Sequence, residues 1–241
     1  GSPQRPYCTV ADALAATGTG PRYIRLLPSA VAYRLPTDRW PADTALHLYG
    51  DDTLVRDALR TPTPTVRVSG GVDIRPTANI RVVLDGLYID GAGPSGGAVC
   101  CGDCAASTTP TATQQLTVRR SHLTGAAIGL SVAASCTLAS FDSSLVHDNT
   151  TQGLRVDSAD FSITNSVIGH NTLVGKSAVV LTQGGLFRNN TVVANLASGS
   201  TGGFVTGINC RNLTISSSIL IGNTPYSNDQ TFGCTVSESA V

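Results

Sequence analysis

The sequence predicts an all-β fold, a parallel β-helix (a solenoid) of about seven coils, and two observations carry this prediction. A short pattern recurs, made of an apolar residue, a polar run, an aliphatic pair and a closing Asn. Its copies end at Asn149, Asn171, Asn195 and Asn223, at intervals of 22, 24 and 28 residues. Between the copies lie short alternating strands. Connections this short cannot contain the crossover helices of an α/β protein.

Composition predicts one domain, residues 3–241, with a polar and weakly charged surface. Charged residues are 13% of the 241 residues and the formal net charge is zero. Counterion release would therefore contribute little, which predicts no nucleic-acid partner. No apolar run is long enough to span a membrane. Seven Cys on a Lys-poor chain favour an oxidising compartment, so we expect a secreted or cell-surface protein.

Residues 7–20 predict a helix that caps the first coil. Thr9 is suited to the N-cap, with Asp12 three positions later, close to a capping box. The apolar side of this helix would consist of Val10, Ala13 and Leu14. Such a helix would cover the open end of a solenoid, whose first coil otherwise exposes its core.

The coils are predicted over residues 24–223. Segment 80–91 aligns with the repeat if Val83, Asp85 and Gly91 take the positions of Ile163, Asn165 and Asn171. A Gly-, Ser- and Cys-rich loop at 91–113 interrupts the period, and residues 224–241 form a C-terminal cap held by a Cys210–Cys234 disulfide. A second ladder of strands follows each closing Asn. Its inner stack is predicted to contain Val132, Val156, Leu181 and Ile208.

With this coil pattern, the capping helix and the Asn column, the chain resembles the right-handed parallel β-helix repeat proteins of the pectate-lyase-like superfamily. The resemblance covers roughly residues 24–223. It implies a right-handed coil and an outer face on which polysaccharide lyases and hydrolases place carboxylates and Arg. It also implies Ca²⁺ as the cofactor if the chain is a lyase, and no cofactor otherwise. One fold hosts many activities, so function must be argued from the side chains.

The closing Asn residues have a structural interpretation. Asn tolerates a left-handed corner, and its amide can bond to the coils on either side, so we expect an internal ladder of Asn149, Asn171, Asn195 and Asn223. Three Asn-x-Thr sequences, at Asn149, Asn189 and Asn212, also fit the N-glycosylation pattern. Buried corner positions would be poor acceptors.

The outer side of the first ladder is predicted to carry one polar column, formed by Arg119, Asp142, Thr164, Arg188 and Ser216. One Asp between two Arg is a poor cation site, and Arg119–Asp142 is expected to be an exposed salt bridge of small value. Asp142 is a candidate catalytic residue of this column. Arg119 and Arg188 are its candidates for binding an acidic glycan.

A second candidate cluster lies at the corner before the closing Asn. Asp90, Asp148 and His170 occupy this corner, with His147 beside them, and Asp148 and His170 are expected to be neighbours in consecutive coils. A carboxylate beside an imidazole can perform acid–base catalysis or bind a metal. The alternative is a set of polar residues at a solvated turn. At this edge the ligand-binding candidates are His147, Arg155 and Asp157.

The Cys residues allow two interpretations. Cys100, Cys101 and Cys104, completed by Cys136, could form a Cys₄ zinc site. Disulfides are the favoured interpretation, with one of the three bonded to Cys136 and another to Cys8. The disulfide candidates are Cys8, Cys100, Cys101, Cys104, Cys136, Cys210 and Cys234.

Two function classes follow from these patterns. The first is a secreted or surface-exposed module that binds carbohydrate without catalysis, or acts in adhesion or as structure. Its partner would be a polysaccharide or a cell-surface component, and an uncapped terminal coil could also pair with another chain in self-assembly. The alternative is a polysaccharide lyase or glycoside hydrolase acting on an acidic glycan, which the lack of a carboxylate cluster disfavours.

Overall fold

The computed structural model describes residues 6–16, 21–35, 40, 44–50, 66–74, 79–93, 96–102, 114–158, 160–198, 207–223 and 230–241. Within these ranges one helix, α1 (Val10–Ala16), precedes 23 strands. Strands pair in parallel with the equivalent strand of the next coil. This confirms the predicted all-β parallel β-helix of about seven coils.

In chain order the strands are β1 (Arg22–Arg25), β2 (Thr44–Tyr49), β3 (Val66–Ser69), β4 (Val72–Ile74), β5 (Ile80–Asp85), β6 (Leu87–Asp90), β7 (Gly97–Cys101), β8 (Gln114–Arg119), β9 (His122–Thr124), β10 (Ile128–Val132), β11 (Cys136–Asp142), β12 (Leu145–His147), β13 (Gln152–Val156), β14 (Phe161–Thr164), β15 (Val167–Gly169), β16 (Thr172–Val174), β17 (Val179–Leu181), β18 (Leu186–Arg188), β19 (Thr191–Val193), β20 (Leu196–Ser198), β21 (Ile208–Ser216), β22 (Ile219–Ile221) and β23 (Thr231–Ser237).

Most of these strands form three faces, while β16 and β20 pair with each other in a separate two-stranded sheet. The first face contains β1, β2, β5, β8, β11, β14, β18 and the second half of β21. The second face is the seven-stranded sheet β3, β6, β9, β12, β15, β19 and β22. The third face contains β4, β7, β10, β13, β17 and the first half of β21. The long strand β21 turns the corner between the third and first faces at Asn212, where φ is 54°.

The interior is a stack of apolar side chains, because inward and outward residues alternate along each strand. One column of the first face consists of Leu84, Val118, Phe141, Ile163, Phe187 and Ile215, all fully buried. Burial of each such side chain contributes about 1.5–3 kcal/mol. At the N-terminal end, Val10, Ala13 and Leu14 of α1 belong to the same core. Thr9 Oγ1 accepts a hydrogen bond from the Asp12 backbone N–H at 3.0 Å, so it caps α1 as expected.

The polar columns at two corners are buried ladders. Asn149, Asn171, Asn195 and Asn223 are at most 1% exposed, and each of the first three donates from Nδ2 to the Oδ1 of the next at 2.7–2.9 Å. A second ladder, missed in the sequence, lies between the first and second faces. There the backbone N–H of each residue donates to the side-chain oxygen of the next in the series Ser121, Ser144, Ser166, Asn190 and Ser218.

The left-handed backbone lies one residue before the Asn ladder, which corrects the sequence expectation. Asp148, His170 and Ala194 have φ of 53°, 57° and 52°, whereas the ladder Asn residues are absent from the positive-φ set. At each corner, two consecutive residues therefore have different roles. The residue with positive φ makes the turn, and the buried Asn that follows satisfies backbone groups on both sides.

Two predicted registers are wrong. In segment 80–91, Leu84 rather than Val83 takes the position of Ile163, so Asp85 aligns with Thr164. On the third face, Leu181 pairs with Cys210, while Ile208 pairs with Val179 in the neighbouring inner column. The third-face error is a shift by two residues, which preserves the buried pattern because side chains alternate with period two, so hydropathy cannot choose between the two registers. The error in segment 80–91 is a shift by one residue, which exchanges the two sides of the strand: Leu84 is buried and Val83 is partly exposed.

The predicted Cys-rich loop at 91–113 contains a strand. Residues 97–101 form β7 and are buried throughout, since Ala98, Val99, Cys100 and Cys101 fill the interior and its edge. Residues 103–113 lie outside the described part. At the other end, residues 230–241 continue the coil: β23 pairs with β21, and Ala240 bridges to Ile219.

Candidate functional site

The predicted outer column of the first face exists in the structure. Arg119, Asp142, Thr164, Arg188 and Ser216 are consecutive register partners on β8, β11, β14, β18 and β21. The column continues toward the N-terminus through Asp85, Tyr49 and Arg25. These three residues were not part of the predicted site, because the register of the early coils could not be read from the sequence.

Asp85 is the most tightly bound carboxylate of this column. Its side chain is only 2% exposed. Arg119 donates to Asp85 Oδ2 from Nε at 2.8 Å and from Nη2 at 2.7 Å. Arg120 donates from Nε to Oδ1 and from Nη2 to Oδ2, both at 2.8 Å. Two guanidinium groups are therefore held side by side by one buried carboxylate.

This pairing corrects the predicted Arg119–Asp142 salt bridge. Arg119 lies between two acidic residues of its column and binds the buried one. Asp142 accepts its hydrogen bonds from neutral groups instead, at 2.7–2.8 Å, from Thr164 Oγ1, Asn165 Nδ2 and Ser143 Oγ. These three donors satisfy the carboxylate oxygens of Asp142 without a hydrogen bond from Arg119.

Both carboxyl groups are held ionised. Burial acts to raise the pKa of Asp85, but the hydrogen bonds and charges of Arg120 and Arg119 outweigh it and leave the pKa below the ordinary 3.8. Burial likewise acts to raise the pKa of Asp142, and the hydrogen bonds from Thr164, Asn165 and Ser143 lower it below 3.8. Carboxyls with lowered pKa values are acceptors and poor proton donors at neutral pH.

An aromatic cluster adjoins Asp85 on the same face. The ring of Tyr23 lies 5.8 Å from that of His47, which lies 5.2 Å from that of Tyr49. His47 Nε2 lies 3.5 Å from Asp85 Oδ2. Tyr23 is 72% exposed, so one face of its ring is open to solvent. We call Tyr23, His47, Tyr49, Asp85, Arg119 and Arg120 the first-face patch.

Arg188 lies apart from this patch. It is exposed, three rungs beyond Arg119 in the column, which corresponds to about 14 Å at the usual strand spacing. The described residues supply no ion-pair partner for its guanidinium. Arg119 and Arg188 therefore cannot bind one small anionic group together, although an extended polymer along the face could meet both.

The second predicted cluster is only partly assembled. Asp148 and His170 take the same corner position in consecutive coils, but no hydrogen bond or ion pair between them is present in the described structure. Asp148 Oδ2 lies instead 2.7 Å from Nδ1 of His147. Asp90 takes the register position of His147, one residue before the position of Asp148, and it belongs to a different coil from Asp148. Its Oδ2 lies 3.5 Å from Nη2 of Arg67.

The surroundings of His147 are aromatic. Its ring centroid lies 5.8 Å from that of His122, and His122 lies 5.8 Å from Tyr88. Arg67 sits over Tyr88 at 5.1 Å. These rings lie in a row on the second face with edge-on and tilted contacts, and the row matches the tendency of solenoids to place like residues in neighbouring coils.

Arg155 and Asp157 form a pair of their own at the third face. Arg155 Nη2 lies 2.8 Å from Asp157 Oδ2, and Thr182 Oγ1 donates to Asp157 Oδ1 at 3.1 Å. Asp157 thus binds Arg155 in its own coil and Thr182 in the next. The two residues do not contact the His147–Asp148 pair.

Disulfides account for the described Cys residues apart from Cys8. Cys101 bonds to Cys136 and Cys210 to Cys234, and Cys100 is also disulfide-bonded. The zinc alternative is therefore wrong for Cys101 and Cys136, whose sulfurs are joined to each other. The expected bridge to Cys8 is also wrong, since Cys8 is exposed and free. Cys104 lies outside the described residues.

The described part of the chain shows neither a metal-binding cluster nor a membrane-spanning helix. Its His, Cys, Asp and Glu side chains form no group of three or more that could hold a metal ion. None of its helices has the length and hydropathy needed to cross a membrane. No family model, curated protein or solved structure matches the chain. The interpretation of function therefore depends on the side chains of the site itself.

Proposed function

We propose that this chain is a secreted or cell-surface module that binds carbohydrate without catalysis, through the first-face patch. The observation that carries the proposal is the open ring of Tyr23, which His47 connects to Asp85 and to the two guanidinium groups that Asp85 holds. An aromatic plane offers apolar contact area, and fixed planar donors supply directional hydrogen bonds.

Electrostatics favour an acidic glycan as the ligand. The side chains of Arg119 and Arg120 are 45% and 38% exposed, so both guanidinium groups reach the surface of the patch. The outer N–H groups of a guanidinium match a carboxylate or sulfate in geometry. Because Asp85 holds both groups in place, little side-chain entropy would be lost on binding.

The alternative is a lyase or hydrolase of the pectate-lyase-like superfamily, with a right-handed coil. A hydrolase needs a carboxylic acid whose pKa is raised so that it can protonate the leaving group. Asp85 and Asp142 have lowered pKa values, and their oxygens are occupied by Arg, Thr, Asn and Ser donors. Occupied oxygens are also poor ligands for Ca²⁺. These features favour binding over catalysis.

The extracellular location is supported by the Cys101–Cys136 and Cys210–Cys234 disulfides, because disulfides persist in oxidising compartments. The Ser, Thr and Asn that line the solenoid surface, with few charges, are compatible with such a location.

The experiment is a binding and degradation screen with the intact chain. Neutral, uronate-containing and sulfated polysaccharides are tested by affinity electrophoresis and titration calorimetry, while reducing ends and unsaturated products are followed with and without Ca²⁺. We expect retention on an acidic polymer with no turnover. Tyr23→Ala should weaken binding about tenfold, which corresponds to about 1.4 kcal/mol.

The matched control is Phe232→Ala. Phe232 is 64% exposed and lies on the third face, so its loss removes a similar ring without touching the patch. Equal effects of the two substitutions, or no retention on any polymer, would refute the proposal. Turnover abolished by Asp142→Ala would establish the enzymatic alternative.

A further inference from the structure

Three Asn-x-Thr sequences occur in the chain, and the structure separates them by accessibility. We propose that Asn189 and Asn212 are N-glycosylation sites and that Asn149 is not. The proposal rests on the proposed extracellular location, because the modification occurs in secretory compartments. It goes beyond the binding function, which places no requirement on these residues.

Asn149 is unsuited as an acceptor because its amide is part of the core. It is 1% exposed. Its Nδ2 donates to Leu123 O, His147 O and Asn171 Oδ1 at 2.9–3.2 Å, and its Oδ1 accepts from the Ala126 N–H at 3.1 Å. A sugar on Nδ2 would break the Asn ladder and cannot fit between adjacent coils.

Asn189 has the opposite environment. It is exposed at the corner after β18, with φ of 56°, which turns its side chain out of the sheet. Its single described side-chain hydrogen bond, to Asn165 Oδ1, is 3.4 Å long and lies at the surface. The required hydroxyl belongs to Thr191, which begins β19 at the edge of the second face.

Asn212 is exposed at the bend of β21, with φ of 54°. No side-chain hydrogen bond of Asn212 is present in the described structure. Thr214, two residues later, is also exposed, on the outer side of the first face. Both the amide and the hydroxyl of this acceptor sequence are therefore open to solvent.

The chemistry is the transfer of an oligosaccharide from a lipid diphosphate donor. Asn Nδ2 forms a bond to the anomeric carbon, and the bond from that carbon to the diphosphate oxygen breaks. The diphosphate leaves with the electron pair, and the amide proton passes to a base of the transferase. The product is a neutral polar chain at the surface, which solubilises without changing the core.

The two sites flank the first face at its C-terminal end. Asn189 lies where a first-face strand ends and Asn212 where the next one begins. Tyr23 lies on β1, six rungs from β18, or about 29 Å at the usual strand spacing. Glycans at these positions would therefore leave the first-face patch open and would stand beside Arg188.

The test expresses the chain through the secretory pathway of a eukaryotic host. Asparagine occupancy is then read by glycosidase release in heavy-oxygen water and peptide mass spectrometry. We expect label at Asn189 and Asn212 and none at Asn149 in the folded, secreted protein. Thr191→Ala and Thr214→Ala should each lower the apparent mass on a denaturing gel by that of one glycan, and Thr151→Ala should leave the apparent mass unchanged.

Two results would overturn the proposal: occupancy at Asn149 in folded secreted protein, or no occupancy at either exposed Asn in protein that is secreted. The assay is independent of carbohydrate binding, because it uses no ligand. Loss of binding in the polysaccharide screen would leave this result unchanged, and absence of glycans would leave the binding proposal unchanged.

Discussion

Asp85 and Arg120 form a two-point ion pair at the edge of the first face, with Nε and Nη2 of the Arg each 2.8 Å from a carboxylate oxygen. The residues are 35 positions apart in sequence and belong to adjacent coils. Arg119 adds a second guanidinium to the same carboxylate. The ion cluster therefore joins two coils and fixes the orientation of both Arg side chains.

Asp85→Asn is expected to destabilise the fold by about 1–3 kcal/mol, because a buried hydrogen-bonded charge is removed. We expect a moderate loss of unfolding free energy because the side chains of Arg119 and Arg120 are 45% and 38% exposed, so water screens their charges. Urea denaturation at neutral pH measures it. The control is Asp148→Asn, whose carboxylate is 67% exposed and should matter by less than about 0.5 kcal/mol. Equal losses in both variants would contradict this account.

Stability should fall with acidification. Asp85 and Asp142 both have folded-state pKa values below the ordinary 3.8. Their contribution is therefore fully present above that ordinary value and is lost as the pH falls through the folded-state values. Unfolding free energies measured by urea from pH 7 to about pH 2 should begin to decline near pH 4, close to that ordinary value. In Asp142→Asn the decline should be shallower, and an unchanged slope would argue against the hydrogen bonds of Asp142 as its cause.

The Asn ladder should be costly to interrupt. Asn171 donates to Val146 O, Gly169 O and Asn195 Oδ1, and its Oδ1 accepts from Asn149. Asn171→Ala leaves several buried backbone groups unpaired, so we expect a loss of about 3 kcal/mol or more in unfolding free energy. Asn165→Ala, at an exposed corner, is the control and should cost less than about 1 kcal/mol. A loss at Asn171 no larger than at Asn165 would show that the ladder contributes little.

The Cys101–Cys136 disulfide should stabilise the chain, while Cys8 should not. The bond closes a segment of 35 residues between β7 and β11. Its removal in a Cys101→Ala, Cys136→Ala double variant should lower the unfolding free energy by about 2–4 kcal/mol, chiefly because the unfolded chain then gains conformational entropy. Cys8→Ser should leave the melting temperature unchanged, because Cys8 is exposed and unbonded. A melting temperature that falls in Cys8→Ser would indicate a role for this thiol that the monomer does not reveal.

Much of the fold could be predicted because it is encoded locally. The alternation of each strand, the period of the closing Asn residues and the N-cap at Thr9 depend on near neighbours in sequence. The corner chemistry was predicted less well. An Asn column was expected to supply the left-handed residues, yet Asp148 and His170 adopt that conformation and the Asn residues satisfy the backbone behind them. The Ser ladder was missed, since Ser121, Ser144 and Ser166 show no distinctive pattern in one sequence.

The candidate site was predicted in part. Arg119, Asp142 and Arg188 were placed in one column, which the register bears out. Their partners were not foreseen. Tyr23, His47 and Asp85 come from coils whose spacing is irregular, with intervals that no repeat pattern relates to the later ones. Such residues become neighbours only when the coils stack.

The sequence by itself determined that this protein coils into stacked parallel strands with polar corner columns, because alternation and period are properties of short segments. Only the tertiary structure decided which outer residues meet. On the third face a shift of two residues leaves the buried pattern unchanged, and the irregular spacing of the early coils offers no period by which to align them with the later ones. The alignment that forms packs the core columns and satisfies Asp85 with two guanidinium groups, and it connects the open ring of Tyr23 to Asp85 through His47.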